Sequence, residues 1–340
     1  MTRILLLGGG HAHAQVLLKF RNFISKYLEV VLVSETSLHT YSGMVPGVVA
    51  GHYAAADAQI DLARLAREAA AQFVAGRVSG LDTDAKRVVL DNGETLDYDV
   101  ASLNLGSLPL GLRADTVSVK PFERFIERWR AVLEAIPRPR VAVVGAGAGG
   151  VEIAMAMKFA LDRRGGGYVE LFSEQFLFQP AVAGRIRSAL DRLSIPLRVG
   201  ESAGPGFDAT FWITGASALP LLDESGLRTD ARGYVLVDAS LRSVSHPDVF
   251  AAGDNAALEG AALPKSGVYA VRQGPVLAEN LKRVVRGMQM LDYRPQAASL
   301  SLISCGSKYA IASRGGWSAE GRWAWWWKDR LDCRWVAKFR

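Results

Sequence analysis

The chain has 340 residues, enough for two domains of about 150 residues each and a small remainder. Hydrophobic residues make up 49% and charged residues 22%, a globular balance that excludes a disordered or fibrous chain. The net charge of +6 is too mild to imply nucleic-acid binding. Two cysteines, Cys305 and Cys333, exclude a secreted disulfide framework and fit a reducing compartment.

The start, Met1-Thr-Arg-Ile-Leu-Leu-Leu, imitates a signal peptide, but its apolar core is only Ile4 to Leu7, shorter than the minimum of about seven. No apolar run approaches the roughly 18 residues that span a bilayer, so a cytoplasmic protein is expected. Ile4 to Leu7 reads instead as a parallel strand covered on both faces. It runs into Gly8-Gly-Gly10-His-Ala-His13, then a predicted helix from Ala14 to about Tyr27, then the strand Glu29 to Ser34 ending at Glu35. This is a dinucleotide-binding β-α-β unit. Gly8 permits the tight turn, Gly10 lets the backbone approach a pyrophosphate at the helix start, and Glu35 is placed for adenosine ribose hydroxyls. The third glycine of the pattern is His13, so the helix must stand off or the imidazole must turn away. For His11 and His13, hydrogen bonding or packing fits better than proton transfer.

The second copy has all three glycines. Strand Arg140 to Val144 leads into Gly145-Ala-Gly147-Ala-Gly-Gly150, a helix over Val151 to Leu161, and the strand Tyr168 to Ser173 ending at Glu174. An acid there favours the free 2′-hydroxyl of NADH over the 2′-phosphate of NADPH. Arg163 and Arg164 are the nearest contrary charges and fit a solvated helix end. Gly8 and Gly145 stand 137 positions apart, so the chain is either a tandem repeat or a binder of two dinucleotides.

Further segments carry a resemblance. Leu96-Asp-Tyr-Asp99 through Asn104-Leu-Gly106-Ser-Leu-Pro109, Ala209-Thr-Phe-Trp-Ile-Thr214-Gly215 and His246-Pro-Asp-Val-Phe-Ala-Ala-Gly253-Asp254 resemble, in that order, the segment leaving the FAD domain, the segment closing the nicotinamide domain and the flavin-binding Gly-Asp motif of the pyridine nucleotide–disulfide oxidoreductase family. The resemblance covers essentially the whole chain. It implies that Asp254 holds the ribityl chain of FAD and that the Gly253 backbone meets its pyrophosphate. Leu38-His-Thr-Tyr41-Ser-Gly-Met-Val-Pro46 resembles the flavin-lining segment of type II NADH dehydrogenases. Leu263-Pro-Lys265-Ser-Gly267-Val268 resembles the start of the helix whose N-terminus faces the flavin pyrimidine, where unpaired N–H groups offset the charge of reduced flavin. The Gly-Gly-Gly-His-Ala-His start, the Pro-Lys segment and Tyr309-Ala-Ile-Ala-Ser-Arg314 resemble flavoproteins fused to or accompanying selenide, water dikinase.

Departures from these patterns matter. Classical disulfide reductases need a cysteine pair after the first nucleotide turn, and no cysteine precedes Cys305, which excludes a thiol relay. Sulfide:quinone oxidoreductases share the Pro-Lys-Ser-Gly segment but also need early cysteines, which disfavours that reading. Type II dehydrogenases place glutamines on the flavin-facing helix where this chain has Val268 and Arg272.

Five of the eight tryptophans fall in the last 18 residues, and from Arg314 to Arg340 seven basic residues face three acidic ones. Trp323, Trp327, Leu331, Trp335 and Phe339 recur every four positions and predict one broad apolar helix face. Tryptophan beside arginine and lysine on such a helix suits a membrane interface; the protein's own sheet and a homodimer interface are the alternatives. No metal-ligand spacing occurs.

The expected fold is α/β: two nested Rossmann-like dinucleotide-binding domains of the glutathione reductase-like kind. Residues 1–113 and 240–290 form the FAD domain, 114–239 the NAD(P)H domain behind a helical linker from Pro121 to Ile136, and 291–340 a C-terminal cap. The expected activity is hydride transfer from NAD(P)H, NADH preferred, to FAD and on to an unidentified acceptor, a quinone among the candidates. The alternative is an FAD-binding partner or sensor module for another enzyme, such as a selenophosphate-forming one. The expected cofactor-binding residues are Gly8, Gly10, His11, Glu35, Pro46, Gly106, Gly145, Gly147, Gly150, Glu174, Gly215, Gly253, Asp254, Gly267 and Val268, with Lys265 the candidate catalytic side chain. The location is cytoplasmic, or peripheral on the inner face of the membrane.

Overall fold

In a computed structural model, residues 1–23, 27–296 and 298–340 are described. Five parallel strands form the first sheet, in the order Val249–Ala251, Val100–Leu103, Thr2–Leu7, Leu28–Ser34 and Gln72–Ala75. Ile4 to Leu7 are fully buried, as a strand covered on both faces requires. One face carries the helices His11–Phe20 and Gly267–Val285, which pack on each other. The first of these starts three residues before the expected Ala14, because extended Gly10 serves as its N-cap. It ends at Phe20, and Asn22, at φ +65°, takes the left-handed conformation that stops a helix. Residues 24–26 of the expected helix lie outside the described residues.

The second sheet is also parallel, in the order Val117–Ser118, Ala209–Trp212, Arg140–Val144, Tyr168–Ser173 and Leu197–Val199. Helix Phe122–Ala135 leads into it, and helices Ala148–Asp162 and Pro180–Arg192 belong to it. The chain enters and leaves this unit side by side, since Leu108–Pro109 pairs antiparallel with Ala216–Ser217. The following stretch packs on the first unit, although the sequence boundary at 239 would keep it in the second. Thr83 Oγ1 donates to the Ser225 carbonyl at 2.7 Å, and Val235–Val237 pairs with Ala256–Leu258. A three-stranded meander, Val78–Asp82, Arg87–Leu90 and Thr95–Asp97, completes this side.

The C-terminal segment forms an antiparallel sheet, Ser301–Ser304, Ala310–Arg314 and Trp317–Gly321, followed by helix Arg322–Ala337. The expected single apolar stripe does not hold. At about 100° per residue, positions four apart advance about 40° at each step, so the series winds from one side of the helix to the other. Trp335 (7% exposed) and Phe339 lie in the core, while Trp323, Trp327 and Leu331 are exposed. The solvent face is instead Trp323, Trp326, Trp327, Arg330, Leu331 and Arg334; the opposite face presents Ala324, Lys328, Asp332 and Trp335 to the protein. Among the described residues, no helix is long and apolar enough to cross a membrane.

Candidate active site

Four segments of the first unit converge at the carboxyl ends of its parallel strands. Gly8, at φ +95°, has the Asn104 carbonyl oxygen 2.4 Å from where a Cβ would stand, and a Cβ on Gly10 would meet Asn104 Oδ1 at 2.2 Å. Only hydrogen fits at either place. Asn104, buried, accepts at Oδ1 from the N–H groups of Ala12 (3.1 Å) and His13 (3.4 Å) and donates through Nδ2 to the Ala252 carbonyl at 3.0 Å. It thus satisfies two of the orphan donors at the helix start and ties them to the Gly253–Asn255 turn. Asn255 completes the knot: its Oδ1 accepts from Leu105 N–H at 2.5 Å, and its Nδ2 donates to the Gly106 carbonyl at 2.8 Å. Gly253 N–H donates to Gln273 Oε1 at 2.7 Å, joining the turn to the helix that begins at Gly267.

His13 replaces the third glycine without pushing the helix away. Its ring is buried, with Nδ1 2.6 Å from the Gly8 carbonyl and Nε2 2.8 Å from Ser102 Oγ. A carbonyl can only accept, so the proton sits on Nδ1 and Ser102 donates to Nε2. Burial holds the pKa of His13 at about 4, and the ring is neutral. His11 is neutral too, its pKa depressed first by burial and then by His39. Its ring packs among His39, Tyr41 and Trp335, with centroids 4.6, 5.4 and 5.3 Å away. Glu35 stands exposed directly after strand Leu28–Ser34, and Pro46 is buried in the first turn of helix Val45–Val49.

Asp254 is the charged centre of this unit. Its Oδ2 accepts from Ser107 Oγ at 2.7 Å and from Lys120 Nζ at 2.8 Å. Burial opposes ionisation, but Lys120 outweighs it and holds the carboxyl below its ordinary range. Lys265 donates to the Ala256 carbonyl at 2.5 Å and lies 3.7 Å above the Tyr234 ring. Burial lowers its pKa to about 8. Gly267 opens its helix and Val268 is exposed.

In the second unit, Gly145 (φ +110°) approaches the Ile213 carbonyl, and a Cβ on Gly150 would lie 1.7 Å from the Gly145 carbonyl oxygen. A Cβ on Gly147 or Gly215 would meet nothing within 4 Å. The place beside Gly10 in the first turn is therefore filled by Asn104, whereas its counterpart beside Gly147 in the second opens into free space. Glu174 is exposed just past strand Tyr168–Ser173, as Glu35 is in the first unit.

Between the units lies a buried charge cluster that sequence reasoning missed. Lys328 Nζ donates to Asp332 Oδ2 (2.9 Å) and the Gly43 carbonyl (2.8 Å) and sits 3.9 Å from Glu152 Oε1. Glu152 accepts from Ser304 N–H at 2.9 Å, and Tyr41 OH donates to Asp332 Oδ1 at 3.2 Å. Burial raises the Glu152 pKa, and the two carboxylates keep Lys328 protonated. The available signal was the pair Lys328 and Asp332, of opposite charge and four apart on one helix. Cys305 is buried, its thiol pushed up to about 12 by burial, and Cys333 is exposed; neither belongs to the nucleotide turns.

The family description of the pyridine nucleotide-disulphide oxidoreductases matches residues 2–204 and 205–274. The chain belongs to that family. Membership makes it an oxidoreductase working with FAD and NAD(H). It is 23% identical to the type II NADH:quinone oxidoreductase of Staphylococcus aureus strain NCTC 8325, over 99% of this chain and 95% of that one. Its fold is that of the sulfide:quinone oxidoreductase of Aquifex aeolicus (TM-score 0.82, 16% identity, 100% of this chain and 92% of that one). It is also that of the water-forming NADH oxidase of Lactobacillus brevis (TM-score 0.73, 22% identity, 93% and 75%).

Proposed function

We propose that this member of the family is an NADH dehydrogenase that delivers electrons to a quinone-class acceptor without a redox disulfide. The observation that carries the reading is the contrast between two nucleotide turns, the middle glycine of one (Gly10) packed on Asn104 and that of the other (Gly147) facing open space, with no cysteine in either. A closed cradle suits a nucleotide that stays; an open one suits a nucleotide that exchanges. Gly8, Gly10, the His11 backbone, Glu35, Pro46, Gly106, Gly253, Asp254, Gly267 and Val268 would hold FAD. Gly145, Gly147, Gly150, Glu174 and Gly215 would hold NADH. The close approaches at Gly8 and Gly10 and the ionised Asp254 fit a flavin nucleotide, which supplies two-electron chemistry when bound: hydride acceptance, then release to a second substrate.

The protein's own share is orientation and charge. Lys265 keeps a cation beside Asp254, where negative charge on a reduced flavin needs an offset. Glu152, its pKa raised by burial, would be the group of this buried cluster that gives a proton as a quinone is reduced to a quinol. The exposed Trp323, Trp326 and Trp327, with Arg330 and Arg334 on the same face, fit the headgroup region of an anionic membrane, where a quinone would be met. The finer kinship with flavoproteins accompanying selenide, water dikinase rests on the motifs quoted above alone.

Anaerobic mixing with NADH tests the core of the proposal. Fast bleaching of flavin absorbance supports it, and colourless protein that cannot be reconstituted with FAD overturns it. Bound flavin that NADH does not bleach would mean a partner module instead. A screen of soluble quinone, ferricyanide and oxygen then identifies the acceptor. For the membrane, co-sedimentation with anionic liposomes compares the intact chain with a Trp323→Ser, Trp326→Ser, Trp327→Ser variant; equal pelleting removes that part.

A further inference from the structure

Lys120 was not among the residues marked by the sequence, and it belongs to the wrong unit for the contact it makes. It follows Val117–Ser118, the edge strand of the second sheet, and its backbone is fixed there. Ser118 Oγ donates to the Lys120 carbonyl at 2.6 Å and accepts from its N–H at 3.1 Å, while Val119 N–H donates to the Trp212 carbonyl at 3.1 Å. From this anchor the side chain reaches into the first unit, where Nζ donates to Ser107 Oγ and to Asp254 Oδ2, both at 2.8 Å. The Asp254 side chain is 15% exposed and that of Lys120 34%, so the pair is screened on the aspartate side. Because Ser107 and Lys120 both bond Oδ2, the carboxylate cannot rotate freely, and Oδ1 is presented in a fixed direction. The other titratable groups acting on or feeling Asp254 are Lys265, Tyr234 and His11. Lys265 is already committed to Ala256 and the Tyr234 ring, and His11 is neutral. Lys120 is therefore the cation in hydrogen-bond contact with the acid.

We propose that Lys120 is a positioning residue for the flavin nucleotide, holding Asp254 ionised and aimed while it pins the entry of the second unit to the first. The proposal rests on the reading of Asp254 as a flavin-binding acid. Without Lys120, the buried carboxylate has lost its partner and takes up a proton more readily. A ligand hydroxyl then loses a charge-assisted bond, which is roughly twice as strong as a neutral one.

The test is FAD affinity, read by fluorescence quenching on titration into apo-protein between pH 5 and 7, below the range in which Lys265 titrates. The wild type should show a flat profile. Lys120→Met should bind FAD about tenfold more weakly at pH 5.5 than at pH 7, and Lys120→Arg should restore the flat profile. Lys120→Met combined with Asp254→Asn should also be flat, because the titrating group is gone. If Lys120→Met does not fold, Lys120→Gln reads the same slope. A Lys120→Met profile parallel to wild type overturns the proposal, as does a slope that survives in the double variant. Wild-type protein with no affinity for FAD would overturn the Asp254 reading as well, which separates the two failures.

Discussion

Alanine at position 150 would place a methyl carbon 1.7 Å from the Gly145 carbonyl oxygen, where contact between carbon and oxygen needs about 3.3 Å. The missing distance, about 1.6 Å, must come from moving the start of helix Ala148–Asp162 or from opening the turn. Neither is free, because Gly145 is itself pressed against the Ile213 carbonyl. Overpacking of this kind costs about 1–3 kcal/mol, and a misplacement of about 1 Å near a reacting group can cost 100-fold in rate. Gly150→Ala should therefore retain FAD yet lose about 100-fold in the second-order rate of flavin bleaching by NADH, measured by anaerobic stopped flow. Gly147→Ala is the matched control, since its methyl group meets nothing within 4 Å. Its melting temperature should stay at the wild-type value while the NADH concentration for half-maximal bleaching rises, because the methyl occupies the open space. A Gly150→Ala protein bleached at the wild-type rate would refute the assignment of this turn to the nicotinamide nucleotide.

Four further outcomes follow from the buried groups. His13 and His39 have folded pKa values of about 4 against about 6.5 when unfolded, so the unfolded chain binds more protons between those values. Their stability contribution is whole above pH 6.5 and falls as pH drops towards 4, by about 2 kcal/mol per histidine from pH 7 to pH 5; urea titrations at the two pH values measure it. His39 Nε2 is buried without a hydrogen-bond partner among the described residues, so His39→Phe should be tolerated and should remove its share of that acid loss. Lys328→Met leaves Glu152 and Asp332 without their cation and should lower stability by about 3–5 kcal/mol; an unchanged urea midpoint would count against the cluster. Asn104→Ala unpairs Ala12 N–H, His13 N–H and the Ala252 carbonyl, and should cost about 2 kcal/mol together with weaker FAD retention on gel filtration.

What the sequence displayed was local: strands as apolar runs, turns as glycine clusters, and an acid at the end of the second strand of each unit. Arg140–Val144 and Tyr168–Ser173 fall where their residues predict, because such a strand needs nothing beyond its own run. What it hid depends on partners far along the chain. Asn104 lies 92 positions from the Ala12 amide it caps, and Lys120 lies 134 from Asp254. Glu152 and Lys328 are ordinary surface residue types until the C-terminal helix folds back over Gly43. Residues 220–239 carry no signal of which unit they will pack on; the Thr83–Ser225 bond and the pairing of Val235–Val237 with Ala256–Leu258 decide it. The aromatic stripe failed for a geometric reason, since a spacing of four drifts around a helix of 3.6 residues per turn.

The short ladder between Leu108–Pro109 and Ala216–Ser217 has a consequence for engineering. Paired strands lie about 4.8 Å apart, so the ends of everything between them nearly touch, and a two- or three-residue glycine–serine bridge would close the gap if the whole insertion were excised. The graft would not be silent: Asp254 loses Lys120, Ser304 loses Glu152, Arg185 and Arg192 leave Glu320, and one side of the terminal sheet is stripped bare. A minimal flavin carrier cut from this chain therefore needs new polar side chains on that sheet before it can stay in solution.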